Sequence, residues 1–142
     1  MGVNRRRASA REGSVYLDGN KVLDAVKFEL LYTPEVSETR SLGERGVSRR
    51  WLSRDITGTI SQYKSTPWLR EAVKKYEASG ETPEFTIQGI SEDTNSDYYD
   101  NYGTDTITAV GCVLTGDIPL ASLDSEGDLI MEEIEFGAHA IV

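Results

Sequence analysis

Residues 51–63 read WLSRDITGTISQY, and their alternation decides the fold class. Leu52, Ile56 and Ile60 fall on one parity; Ser53, Asp55, Thr57, Thr59 and Ser61 fall on the other. Successive side chains of a strand point to opposite faces, so the stretch predicts a β-strand with one buried face and one face of small hydroxyls. It is also long for a small domain, because a strand of about 12 residues spans roughly 40 Å. Strands that outrun their domain leave sheet edges in need of partners.

Upstream, Ser14–Leu17, Asp18-Gly19-Asn20 and Lys21–Tyr32 predict strand, tight turn and strand, since Asp-Gly supplies the positive φ of a two-residue hairpin loop. In the second strand Val22, Val26, Phe28 and Leu30 are expected to face inward and Lys27 and Glu29 outward. Pro34 is expected to bend or end it. Residues 37–50, SETRSLGERGVSRR, lack apolar periodicity and are rich in arginine, which predicts an exposed loop of about 14 residues. Residues 1–13 hold four arginines and almost nothing to pack, so a flexible basic arm is expected ahead of one domain over 14–142.

Downstream, Thr66-Pro67 opens a helix over about 67–79, with Thr66 as cap, an inward stripe of Leu69, Ala72, Val73 and Tyr76, and Gly80 as its stop. Glu84–Ile90, Thr106–Leu120 and Asp128–Phe136 read as further strands, with a turn at Asp124–Gly127. Six or so strands and one helix place the fold in the mainly β (α+β) class, as a sandwich or small barrel with a single flanking helix.

The formal net charge is −9 over 142 residues, and it is divided along the chain. All 15 basic residues lie at or before Lys75; up to Tyr76 they meet 9 acids, for a net +6, and beyond it stand 15 acids and no base. Two complementary surfaces on one chain are one way to use such a division. An acidic chain with a short basic arm is a poor nucleic-acid reader. No apolar run approaches the roughly 18 residues of a membrane helix, and no secretory signal follows the first arginines, so synthesis in a cytoplasm is expected.

Residues able to do chemistry are few. His139 is the one histidine and sits three residues from the end; Cys112 lies mid-strand in TAVGCVLT with no base beside it and reads as a buried apolar side chain. No phosphate loop or dinucleotide fingerprint is present. Asp93-Thr94-Asn95-Ser96-Asp97 begins like a calcium loop, but Tyr98 stands where glycine is needed and Thr104 where glutamate is needed. Tyr98, Tyr99 and Tyr102 in the same segment suit a partner-facing tip. Neither an enzymatic reaction nor a cofactor or metal is expected.

The order of these features resembles the tube subunits of contractile phage tails, defective-prophage particles and R-type bacteriocins. The resemblance is carried by Tyr16-Leu17-Asp18-Gly19, by Gly58–Tyr63 running into Arg70, Tyr76 and Gly80, by Phe85-Thr86-Ile87-Gln88, and by Cys112–Asp124, and it covers roughly residues 14 to 137. It implies two antiparallel sheets packed near-orthogonally with one flanking helix, and long hairpins that join a β-barrel shared around a ring of six copies. Rings would stack into a tube that a contracting sheath drives into a target envelope. On this reading Lys27, Glu29, Ser53, Asp55, Thr57, Thr59 and Ser61 face the lumen, and Arg40, Arg45, Arg49, Arg50 and Trp51 contact a neighbouring subunit or ring. The implied partners are further copies, the sheath protein, baseplate tube-initiating and tail-terminating proteins, a tape-measure protein during assembly, and DNA only as passing cargo. The particle would be assembled in a bacterial cytoplasm and released as a virion or bacteriocin. The alternatives are a monomeric ligand- or carbohydrate-binding β-barrel, which would close on itself, and a small hydrolase using carboxylates.

Overall fold

The computed structural model describes residues 13–22, 24–64, 66–121, 123, 125, 127 and 130–142. The expected arm, Gly13 apart, and much of the expected 124–127 turn lie outside them. Strand β1 (Gly13–Leu17) turns through Asp18 (φ 50°) and Gly19 (φ 85°) into the two-residue β2 (Asn20–Lys21), as Asp-Gly predicts. The Asp18 carboxylate accepts the Thr86 N–H at 2.8 Å and so pins this turn to the next strand of its sheet.

Strands β3 (Ala25–Thr39) and β4 (Ser48–Tyr63) form one hairpin that dominates the molecule. Ile56 and Ile60 are buried, as the alternation predicts. Two bulges correct the rest of the pattern. Ala25 pairs with Gln62 and Lys27 with Ser61, so Val26 is an extra residue, displaced from the core and 54% exposed. Pro34 pairs with Arg54 but Val36 with Trp51, so β4 carries the extra residue there; Leu52 is left 63% exposed, not buried with Ile56. Pro34 does not end the strand, because β3 is an edge strand, where a missing N–H is tolerated. The expected 37–50 loop shrinks to residues 40–47, since Ser37–Arg50, Glu38–Arg49 and Thr39–Ser48 continue the ladder.

Helix α1 (Trp68–Ser79) follows Pro67 and ends at Gly80, which takes φ 74° and returns its N–H to the Tyr76 carbonyl at 2.7 Å. Thr66 does not cap it; Pro67 occupies the cap position with no side-chain bond. The indole N–H of Trp68 donates to Gln62 Oε1 at 3.4 Å, and Gln62 Nε2 donates to Glu132 Oε1 at 3.3 Å, which ties the helix to the sheet through two buried polar side chains.

Strand β5 (Phe85–Ser91), a short second helix α2 (Asp97–Tyr102), β6 (Asp105–Leu114), β7 (Met131–Ala138) and β8 (Ala140–Ile141) complete the described elements. The order is β2-β1-β5-β6-β7-β4-β3, all antiparallel, with β8 also on β6. In place of two separate sheets there is one eight-stranded sheet, folded over at β6: residues 105–112 of that strand pair with β5, and Val113 and Leu114 pair with β7. Val15, Ile87, Ala109 and Cys112 from one leaf meet Ile60 and Phe136 from the other in the core. Burying such side chains stabilises the fold by about 1.5–3 kcal/mol each. The sheet stays open between β2 and β3, so the small barrel expected from the sequence is not closed. Two helices, not one, flank it among the described residues.

Gly58 is required where β4 passes under Phe136. An added Cβ would collide with that ring and lie 2.8 Å from the Glu29 carbonyl oxygen. Gly58→Ala is expected to lower stability by about 1–3 kcal/mol, read as a fall in the urea midpoint at unchanged slope.

Candidate functional site

Residues directly opposite on antiparallel strands share a face. Lys27, Ser61 and Glu133 lie side by side across β3, β4 and β7, and so do Glu29, Thr59 and Glu135. Leu31 lies beside Thr57, and Thr33 beside Asp55. Ser53, on the bulge, donates to the Glu35 carboxylate. The structure therefore brings all seven residues expected to face a lumen, from Lys27 to Ser61, onto one face, opposite the one that Ile56, Ile60, Ile134 and Phe136 bury. Below the bulge this face carries Glu29, Asp55, Glu133 and Glu135 against Lys27 alone, whose ammonium lies 3.9 Å from Glu29. A pair so exposed contributes little, and the surface is acidic. Glu133 and Glu135 were missed from the sequence, although the alternation of β7, with Glu132, Ile134 and Phe136 inward, contains the signal.

Beyond the Ile56–Ala138 pair, β7 leaves β4, and the hairpin continues past Tyr32 as a two-stranded ribbon over residues 33–39 and 48–55. It projects about 26 Å, the span of the eight residues 48–55. On its core-side face Tyr32 and Trp51 approach at 5.9 Å between centroids and, with Val36, stay exposed. Glu38 and Arg49 bridge the strands at 3.1 Å. The five residues expected to make inter-subunit contacts are thus gathered on one projection: Arg40 and Arg45 on the loop, Arg49, Arg50 and Trp51 at the start of β4.

The polar segment between β5 and β6 is ordered by its own side chains. Ser96, almost fully buried, donates its hydroxyl to the Asp93 carbonyl at 2.7 Å and accepts the Tyr99 N–H at 3.2 Å, capping α2. Helix from Asp97 onward is not calcium-loop backbone, and no group of three or more His, Cys, Asp or Glu is placed for a metal among the described residues. Tyr98 and Tyr102 pack at 5.1 Å with Tyr102 well exposed. His139 lies exposed between β7 and β8, where its carbonyl accepts from Arg54 at 3.0 Å. Cys112 is fully buried, its thiol donating to the Ala109 carbonyl at 3.4 Å. Burial, with a smaller effect of the Asp18 charge, raises its pKa against the lowering effect of a backbone hydrogen bond at Ile87.

The fold is a folded-over antiparallel sheet with a wet outer face and a projecting ribbon. The chain belongs to the phage tail tube protein family, whose pattern matches residues 3–139, and is a structural tail-tube subunit and not an enzyme. It is 29% identical over 128 residues to the phage-like element PBSX protein XkdM of Bacillus subtilis strain 168, covering 90% of this chain and 84% of that one. Its fold is similar to the tube-terminating cap of the anti-feeding prophage, at TM-score 0.73 and 13% identity over 100% of this chain and 93% of that one. It is also similar to a chain of the sheath–tube complex of the extracellular contractile injection system PVC in its extended state, at TM-score 0.69 and 12% identity over 96% and 90%. No helix among the described residues is long and apolar enough to cross a membrane.

The buried thiol makes a direct test of the core. Cys112 is expected to resist a maleimide at neutral pH in the folded chain and to react within seconds of unfolding by denaturant. Its raised pKa keeps the folded thiol neutral where the unfolded one ionises, so stability is expected to fall as pH rises past the ordinary thiol value.

Proposed function

We propose that the chain builds the inner tube of a contractile injection particle, six copies to a ring and rings stacked head to tail. The observation that carries this reading is the continuous hydroxyl and carboxylate face from Lys27 to Glu135 across β3, β4 and β7, set back to back with the core. Joined around a ring, with the two leaves packed near-orthogonally, those strands form one barrel whose inner wall is this face. Lys27, Glu29, Ser53, Asp55, Thr57, Thr59 and Ser61, with Glu133 and Glu135, then line the lumen. Small hydroxyls leave little greasy hold for passing cargo, Leu31 being the exposed apolar side chain among them, and the carboxylates repel a polyanion such as DNA. Arg40, Arg45, Arg49, Arg50 and Trp51 make contacts between copies.

The contractile machine is supported by the folds to which this chain is similar, which come from a PVC sheath–tube complex, an anti-feeding prophage cap and an anti-feeding prophage baseplate. By that likeness the partners are a sheath protein, tube-initiating baseplate proteins, a terminator and, during assembly, a tape measure. The particle, virion or bacteriocin, is assembled in a bacterial cytoplasm. Its mechanism is mechanical: a stiff tube is driven by the sheath and undergoes no chemistry itself.

Negative-stain electron microscopy with light scattering tests the reading. Six-fold rings or tubes are expected from the purified protein. A monomer at high concentration across a range of salt would overturn it.

A further inference from the structure

Two surfaces are apolar and uncovered by the described residues. One is the ribbon, with Tyr32, Val36 and Trp51 at 42%, 43% and 64% exposure on the face that continues the core side of the sheet. The other is a groove of about 860 Å³ where the sheet fails to close, between β1–β2 and the root of β3. Its walls include Val15, Val22, Ala25, Val26, Phe28 and Ile107. Val26, displaced by its bulge, and Ile107 present uncovered apolar surface there.

The groove walls also carry Lys21 and Lys27, so the contrast of charge lies at the ends of the two surfaces. The ribbon ends in residues 38–50, where Arg40, Arg45, Arg49 and Arg50 outnumber Glu38 and Glu44. The groove reaches Ser91 and Asp105, the two ends of the connection that holds α2. Residues 92–105 carry Glu92, Asp93, Asp97, Asp100 and Asp105 and no basic side chain. An apolar projection with a basic end thus matches an apolar groove with an acidic end.

We infer that the ribbon of one copy occupies the groove of the next, with Trp51, Tyr32 and Val36 against the groove walls and the loop arginines beside α2. A chain cannot fill its own groove this way, because Ala25–Phe28 form both the groove wall and the root from which the ribbon departs. Each copy gives one ribbon and receives one. Such a contact is heterologous and closes only as a ring. It covers the open edge of β3 and the gap beside β2 in one step. The inference rests on the ring reading above and adds to it the receiving surface, with the α2 connection as the acidic partner of the arginines.

Cross-linking tests it. Val26→Cys and Leu52→Cys, both at exposed positions and with Trp51 kept, are made in separate full-length chains, and the buried Cys112 is left in place. The two variants are mixed, assembled and treated with a short bismaleimide. A covalent dimer is expected in the mixture and absent from either variant alone. Tubes visible by electron microscopy without that dimer would overturn the groove assignment and leave the tube reading standing. Absence of rings and tubes from the unmodified chain would overturn the tube reading, and this inference with it.

Discussion

A β-ribbon that leaves its sheet must still satisfy its edges. Past the Ile56–Ala138 pair, β3 and β4 have only each other among the described residues, and both outer edges present backbone donors and acceptors to solvent. Two strands alone are marginally stable in water, and exposed edges invite pairing. Tyr32, Val36, Trp51 and Leu52 make the exposure costlier, since the described residues leave each of them exposed. On the reading proposed above, neighbouring copies cover this feature.

The core is built to hold the root of this ribbon still. Phe28 at the base of β3 stacks with Phe136 of β7 at 6.4 Å and covers Gly89 of the opposite leaf, where no side chain would fit beneath it. Gly58 admits the Phe136 ring, and the Trp68–Gln62–Glu132 chain of hydrogen bonds fixes α1 against the far end of β4. One face of β4 is therefore committed to packing, and its reverse is free to be wet. The period of two that buries Ile56 and Ile60 is the same period that lines up Thr57, Thr59 and Ser61 with Glu133 and Glu135. The division of charge along the chain takes a spatial form as well, with arginines on the ribbon tip and carboxylates on the outer face and around α2.

Much of this was legible in the sequence. Asp18-Gly19 specified its turn, the 56–61 alternation specified both faces of β4, and Gly80 ended α1 where expected. What escaped depends on partners distant in the chain. A bulge changes phase without changing composition, so Val26 and Leu52 read as core. The ladder over 37–39 and 48–50 is polar and held by the register of the hairpin and the Glu38–Arg49 pair, so it read as loop. Helix α2 depends on the cap at Ser96, obscured by a segment that resembles the start of a calcium loop. Opening of the sheet between β2 and β3 is a matter of tertiary closure, to which local patterns are blind. That the seven residues from Lys27 to Ser61 share one face was legible because it needs only parity.

Hydrogen exchange tests the dependence of the ribbon on its neighbours most directly. Amides of residues 33–39 and 48–55 are expected to exchange rapidly in the dispersed subunit and to become strongly protected on assembly, while those of Ile56–Gln62 are protected in both. Equal protection of the ribbon before and after assembly would contradict the account.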